Sequence, residues 1–440
     1  MTRLRKRAWT ALLLTSVTAI GAAACSSGAA STTAGSSTPA AASTAAGSSA
    51  PAAASAAKGT PIKIGLATAE TGEEGSLFES TVQTATAWAD YINATGGIAG
   101  HPVQVLSADT QSNPPAALAA VQGLVRQGVV AMVQADSISE GSTVPYLESQ
   151  HIPILGIGYS NTLINAKNAF NSTVSTLGTS LNELSAAAQS GNTKFMDFYC
   201  LEAPSCKTAG AFYQGNAPAF GVTYSGSLGV SATQPNYTAE CLQAVSSGAN
   251  FLQVDSNFNT QESVATDCAQ QGYKGVMGAL SQEVNIKDMD KVAGATWVGT
   301  LNAFPWWASN APVATFRAAM QKYEPGLDYE TTNSTGIWTV LQLFAKAVST
   351  NTGAVTPASV IADYGQVKNE TLGGLLAQPV SYTANSTSTP ITCAWTYTFK
   401  SGDASPTTIP VKGKSGNGAT GGLASVCPPA SVVQKNLAAS

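Results

Sequence analysis

Tyr91-Ile92-Asn93-Ala94-Thr95-Gly96-Gly97-Ile98-Ala99-Gly100-His101-Pro102-Val103 is the stretch on which the fold class turns. Upstream of it, Val82, Ala85, Ala89 and Ile92 recur at helical spacing and predict a helix over residues 78–94. Gly96 and Gly97 stop that helix where the chain needs a positive φ, and Gly100 makes the turn into Val103-Gln104-Val105-Leu106, which reads as a strand. The alternation extends both ways. Residues 62–67 read as the strand before the helix, 115–127 as the helix after the second strand, and 129–133 and 152–157 as further strands. A second series follows residue 184, with strands at 194–199, 223–226, 250–254 and 275–279 separated by helical patterns. Such alternation predicts an α/β fold of parallel sheets with crossover helices, in two successive arrays. Beyond residues 297–299 come helices at 313–323 and 335–349, then a tail rich in Gly, Ser and Thr with strands at 380–382 and 393–399.

The chain has 440 residues, 44% hydrophobic and only 10% charged, enough for two or three globular units around a large core. Lys and Arg total 21 against 25 Asp and Glu, with no basic run after the first seven residues, so nucleic acid is not an expected partner. The two histidines, His101 and His151, leave almost no material for His-based metal sites or catalytic dyads. No metal and no cofactor are expected.

The first residues carry four cations (Arg3, Arg5, Lys6, Arg7), an apolar stretch over 8–20 and then Gly21-Ala22-Ala23-Ala24-Cys25. This reads as a secretory signal peptide, its apolar run shorter than the about 20 residues of a membrane span. Small residues before a cysteine resemble the bacterial lipobox, in which that cysteine becomes the N-terminus and carries the lipid. Ala22 stands where that motif usually has Leu, and ordinary cleavage after Ala24 is the alternative. Residues 26–57 contain only Ala, Ser, Thr, Gly and Pro and cannot form a core; they read as a tether with a reach of roughly 30 Å. Ser55-Ala56-Ala57-Lys58 matches a Ser-x-x-Lys pattern by chance, since it lies in this tether with no helix following. Removing the four leader cations leaves 17 basic against 25 acidic residues, a mature charge near −8.

Of the seven cysteines, giving Cys25 to the lipid leaves an even six, which in an exported protein predicts three disulfides. Six cysteines allow 15 connectivities. The simplest joins sequence neighbours: Cys200–Cys206, Cys241–Cys268 and Cys393–Cys427.

The opening segment, with Asp109 and Asn113-Pro114-Pro115-Ala116-Ala117 after it, closely resembles the signature of periplasmic solute-binding proteins of the branched-chain amino acid type. The order of elements resembles that family from Thr60 to about Cys427. The resemblance implies two Rossmann-like lobes of the type I periplasmic-binding architecture, joined by three crossings, closing on a small-molecule solute and delivering it to an ABC permease. On this reading residues 1–24 are the leader, 25–59 the lipidated cysteine and tether, 60–178 the first lobe (completed by about 304–350), 179–303 the second (completed by about 351–430) and 431–440 a tail. The protein would be a non-enzymatic monomer on the outer face of a bacterial cell membrane, held there by lipid on Cys25. The alternatives are a ligand-sensing lipoprotein of the same fold reporting to a membrane receptor and, more remotely, a secreted hydrolase.

In open parallel sheets ligands bind beyond the carboxyl ends of the strands. After the third strand, Ser137 and Glu140 have capping-box spacing, which predicts a helix start with free N–H groups suited to an anion. The resemblance puts a carboxylate-contacting serine at Ser139 and a second small polar contact at Ser160, with Tyr159 as an adjacent wall. Leu77 or Phe78 falls near the family's aromatic lid position, though either is also ordinary helix core. Amino-acid-binding members present an acidic residue after the strand at 275–279. Here that place reads Leu280-Ser281-Gln282, with Glu283 slightly farther on. Asp255, as a cation partner, and Phe258 are further candidates, and solvated loop positions are the plainer reading of both. Trp306 and Trp307, after Pro305, read as a buried hinge plug rather than a ligand shelf. Gly413-Lys414-Ser415 lacks the earlier glycine of a P-loop.

Overall fold

The computed structural model describes residues 57–157, 161–202, 206–282 and 284–438. The leader, Cys25 and nearly all of the tether lie outside the described residues, as do Tyr159, Ser160 and Glu283.

Five strands build the first sheet: β1 (Ile62–Thr68), β2 (Val103–Asp109), β3 (Ala131–Ala135), β4 (Ile154–Gly156) and β5 (Ala169–Asn171). All are parallel, in the order β2-β1-β3-β4-β5. The second sheet contains β6 (Lys194–Cys200), β7 (Thr223–Val230), β8 (Phe251–Asp255), β9 (Val276–Gly278), β10 (Thr296–Leu301), β11 (Trp395–Lys400) and β12 (Thr407–Thr408). Its order is β12-β11-β10-β9-β8-β6-β7, parallel through β10 and antiparallel at β11 and β12. β3 and β8 are buried along their whole length, as strands covered by helices on both faces must be.

The chain crosses between the sheets three times. After β5 it enters the helix Thr176–Ser190, which packs on β10. After β10 it returns to the first lobe, where the helices Ala311–Tyr323 and Thr332–Val348 both lie on the helix Thr81–Ala94. Finally it comes back to pair β11 with β10.

The helix starts follow from local chemistry. Asn113 accepts from the Ala116 N–H with Pro114 in the first turn, and Ser175, Asn257 and Thr331 each accept from the N–H three residues on. Gly97 is fixed by space as well as by φ (+74°), since a Cβ there would stand 2.1 Å from the His101 carbonyl oxygen. His101 itself bonds the Thr60 carbonyl at 2.9 Å, tying the signature turn to the start of β1. Trp88, Trp297, Trp306, Trp338 and Trp395 are all fully buried, each worth about 1.5–3 kcal/mol of burial.

Three expectations need adjustment. The helix predicted over 78–94 is broken at Glu79-Ser80 into Gly75–Phe78 and Thr81–Ala94, because buried Ser80 is held by Asn333 and Ser334. The stretch 380–382 is no strand but a single bridge, Glu370 to Val380, since Pro379 brings no N–H to a ladder. β5, three residues long, and the helix ahead of β6 are additions, β5 being too short to show a period.

All three disulfides join sequence neighbours: Cys200–Cys206, Cys241–Cys268 and Cys393–Cys427. No helix among the described residues is long and apolar enough to cross a membrane.

Candidate functional site

The signature residue Asp109, at the end of β2, organises the loop that follows β1. Its carboxylate accepts from the N–H groups of Glu70, Thr71 and Gln111 at 3.0, 3.2 and 2.8 Å and from the Thr71 hydroxyl at 2.6 Å. Partial burial would raise its pKa, but these hydrogen bonds, led by Thr71, outweigh that and hold it below the ordinary range. Glu74, thus fixed, reaches across to the loop after β3. There its carboxylate accepts from the Ser137 N–H at 2.9 Å, from the Ser137 hydroxyl, and from the Ile138 N–H at 3.5 Å.

This changes the reading of the helix after β3. The capping box expected from Ser137 and Glu140 does not form. Ser137 is taken by Glu74, Asp136 accepts from the Ser139 N–H at 3.0 Å, and the helix runs Glu140–Ser149. Donors that would have suited an incoming anion already hold one of the chain's own carboxylates. Burial raises the Glu74 carboxyl, against the pull of the Ser137 bond and with the help of nearby Asp136. Burial, with Glu74 and Asp136 beside it, raises Glu140 well above its ordinary value. Ser139 is buried and its hydroxyl has no hydrogen-bond partner.

Between the carboxyl ends of the two sheets lies a cleft of about 380 Å³. The first lobe lines it from the segment between β1 and the helix Thr81–Ala94 (Glu73, Ser76, Leu77, Glu79, Ser80). Asn257, Phe258 and Asn259 after β8, and Gln282, Val284, Asn285 and Asp288 after β9, line it from the second. Thr331 and Asn333, at the start of the helix Thr332–Val348, form its floor. Asn333 is 3% exposed; its Nδ2 donates to Ser80 Oγ at 3.2 Å and Thr81 Oγ1 at 2.9 Å, and its Oδ1 has no partner.

Around β6 and β8 the second lobe buries three carboxylates, Glu183, Asp197 and Asp255. Tyr213 donates to Glu183 and, at 3.1 Å, to Asp255, which also accepts from Gln253 Nε2 at 3.0 Å. Asp197, inside β6, accepts from Tyr224 at 2.8 Å and Ser227 at 2.7 Å. Burial is the first cause in each case: it lifts Asp197 to about 6, and with the Asp197 charge it lifts Asp255 to about 7, while Glu183 rises well above its ordinary value.

Of the residues named from the sequence, Leu77 and Phe258 line the cleft, whereas Phe78 is core, 1% exposed. Ser137 faces Glu74. Ser281 is buried, within 3.4 Å of Thr179 and bonded to Gln282 at 3.2 Å, and Asp255 turns inward to Tyr213. Trp306 is buried and edge-on to Trp307, with Arg317 bonded to the Trp306 and Ala308 carbonyls, as a plug would be. Sequence reasoning missed Asn333, Asn257, Asn285 and Glu79. Asn257 carries a readable signal, a cap residue shortly after a strand and ahead of a helical pattern, and Asn285 is a cap farther from its strand; Asn333 carries none. Among the described residues no group of His, Cys, Asp or Glu is placed to hold a metal ion.

Solved structures share this architecture. The fatty acid ABC transporter substrate-binding protein of Thermomonospora curvata aligns with a TM-score of 0.65 at 14% identity, over 81% of this chain and 93% of its own. The branched-chain amino acid transporter substrate-binding protein of Streptococcus pneumoniae, solved with isoleucine, gives 0.64 at 14% identity, over 79% and 99%. A Rhodopseudomonas palustris ABC transporter solute-binding protein, solved with p-hydroxybenzoic acid, gives 0.62 at 15% identity, over 84% and 97%. These likenesses show the type I periplasmic-binding fold. No curated protein sequence matches the chain. A family model described as periplasmic binding protein does match, over residues 61–404, and with the two sheets, three crossings and intervening cleft it places this chain in that family of exported, non-enzymatic solute-binding proteins.

Proposed function

We propose that the protein is the lipid-anchored solute-binding component of an ABC importer. The cleft carries this reading: about 380 Å³, polar, and lined from both lobes, so that one small solute would touch both and favour their closure. Two bodies would move, residues 60–178 with about 304–350 and residues 179–303 with about 351–430, about the three crossings. A lipid on Cys25 and the tether of residues 26–57 would hold the monomer near the membrane while a permease takes up the closed form.

Leu77 and Phe258 would supply apolar walls, and Asn257, Gln282, Asn285 and Asn333 would supply hydrogen bonds. Ser139 and Ser160 belong to the same proposal as polar contacts reached on closure.

The test is thermal unfolding of the oxidised full chain against amino acids, amides, short-chain acids, polyamines and sugars. A solute at 100 times its dissociation constant adds about 2.7 kcal/mol. A shifted midpoint with one class, accompanied by compaction in small-angle scattering, is the expected result. No shift with any class would overturn the reading.

A further inference from the structure

The third crossing carries more structure than a connection needs. Residues 357–388 lie on the first lobe: Tyr364 stacks on Phe170 of β5 at 4.0 Å, the Tyr382 hydroxyl donates to the Asn171 carbonyl, and Glu370 pairs with Lys346 at 3.7 Å. The division of bodies proposed above is sharpened accordingly, with 357–388 riding on the first lobe and the third crossing at 389–393. The crossings are bonded to one another. Val174 N–H donates to the Asn302 carbonyl at 2.9 Å, and the Ser175 N–H and hydroxyl both donate to the Ile391 carbonyl at 2.8 Å. Gln378, on the first-lobe side, accepts from the Thr392 and Cys393 N–H groups at 2.9 and 3.2 Å.

Residues 409–427 then return over this hinge and grip both sides. Toward the second lobe, Val426 and Ala394 exchange backbone bonds at 2.7 and 2.8 Å, and Trp395 Nε1 donates to the Leu423 carbonyl at 3.0 Å. The Cys393–Cys427 disulfide fastens the segment where the third crossing enters that lobe. Gly416 lies against it, since a Cβ there would stand 2.2 Å from Cys427 Sγ. Toward the first lobe, Asn417, 5% exposed, donates through Nδ2 to the Gly374 and Leu376 carbonyls at 3.2 and 3.0 Å, and the Ser425 hydroxyl donates to the Ala377 carbonyl at 2.6 Å. The Gly413-Lys414-Ser415 triplet, no P-loop, belongs to this turn: Ser415 Oγ accepts from the Ser425 N–H at 3.0 Å. A segment held on both sides of a hinge cannot follow one lobe without breaking bonds to the other, and buried carbonyls left without donors are costly.

Resting on the two-lobe closure read above, we infer that residues 409–427 are a strap that restrains the hinge. It is fixed to the second lobe by Cys393–Cys427 and grips the first through Asn417 and Ser425. While both ends hold, the lobes of the solute-free protein keep one mutual orientation; release of the grip lets them sample a wider range.

The test is single-molecule energy transfer between dyes on non-canonical amino acids at exposed Gln83 and Gln270, one on each lobe, in the solute-free oxidised full chain. N417A/S425A is expected to replace one narrow distance distribution by a broad one and to speed amide exchange over 413–427 about tenfold. C393S/C427S should broaden it by freeing the other end, and S425A alone, removing a single bond to the first lobe, should do so less. N113A, which loses a helix cap in the first lobe, should leave the distances unchanged. Unaltered distances in N417A/S425A, whether or not its strap amides exchange faster, overturn the strap. Equal broadening in N113A does the same, since general destabilisation then suffices. Neither result touches the solute-binding reading, which fails only if every class in the thermal panel fails.

Discussion

The two lobes share a plan of parallel strands and covering helices yet carry their carboxylates and their cross-links differently. The first lobe has no disulfide among its described residues, and its carboxylates Glu74, Asp109 and Asp136 stand at the strand ends, held by backbone N–H groups and hydroxyls of neighbouring loops. The second lobe has all three disulfides and buries Glu183, Asp197 and Asp255 within its body, held by Tyr213, Tyr224 and Ser227. Carboxylates at a strand end can shape a cleft. Carboxylates buried within the body of a lobe mainly cost desolvation. Asp136 and Glu140 of the first lobe are buried as well, so both lobes bear that cost while the cross-links among the described residues lie in the second.

The largest test of this contrast is removal of a long-range cross-link. Replacing Cys241 and Cys268, or Cys393 and Cys427, by Ser is expected to cost about 3–4 kcal/mol in denaturant unfolding. Hydrogen exchange should then show protection lost in β6–β10 while β1–β4 keep theirs; equal loss in both sheets would mean that the lobes unfold as one unit.

Next in size is the dependence on pH. Asp197 and Asp255 move from an unfolded value of 3.8 to about 6 and about 7 on folding, so the folded state binds more protons between those values. The stability they contribute is complete below about pH 4 and is lost as pH rises through the folded values. A fall of several kcal/mol between about pH 4 and 7.5 is expected, with the raised Glu74, Glu140 and Glu183 acting in the same direction. Asp197→Asn combined with Asp255→Asn should flatten most of it. A profile unmoved by that pair would shift the effect to Glu183 or to Glu74 and Glu140 of the first lobe.

In the first lobe, Glu74→Ala leaves the Ser137 and Ile138 N–H groups without their acceptor and is expected to lower stability by about 1–2 kcal/mol. It should also give carboxylate-bearing solutes measurable affinity, read by calorimetry, because the loop then offers free donors. The smallest effect is expected at Asn113→Ala, where loss of the cap on the helix Pro114–Arg126 costs about 1 kcal/mol and leaves solute binding untouched.

Most of the fold was legible because its signals are local. Helical spacing, Gly96-Gly97 and β-branched runs located the strands β1–β4, β6 and β8 within a few residues, and cysteine parity with sequence adjacency led to the three pairings. The site was less legible. Leu77 and Phe258 could be named from their places after strands, but Phe78, one residue on, went to the core. Periodicity does not say which of two adjacent apolar residues faces outward at a helix break.

The sequence alone determined the α/β class and the order of elements and pointed by cysteine parity to three disulfides, since composition, period and spacing are properties of neighbours along the chain. Only the tertiary structure decided that Glu74 lies across the loop after β3, that Asp255 turns inward to Tyr213, and that Asn333 meets Ser80 from 253 positions away. These are through-space contacts between groups far apart in the chain, fixed by how the lobes close their cores, and no local pattern encodes them.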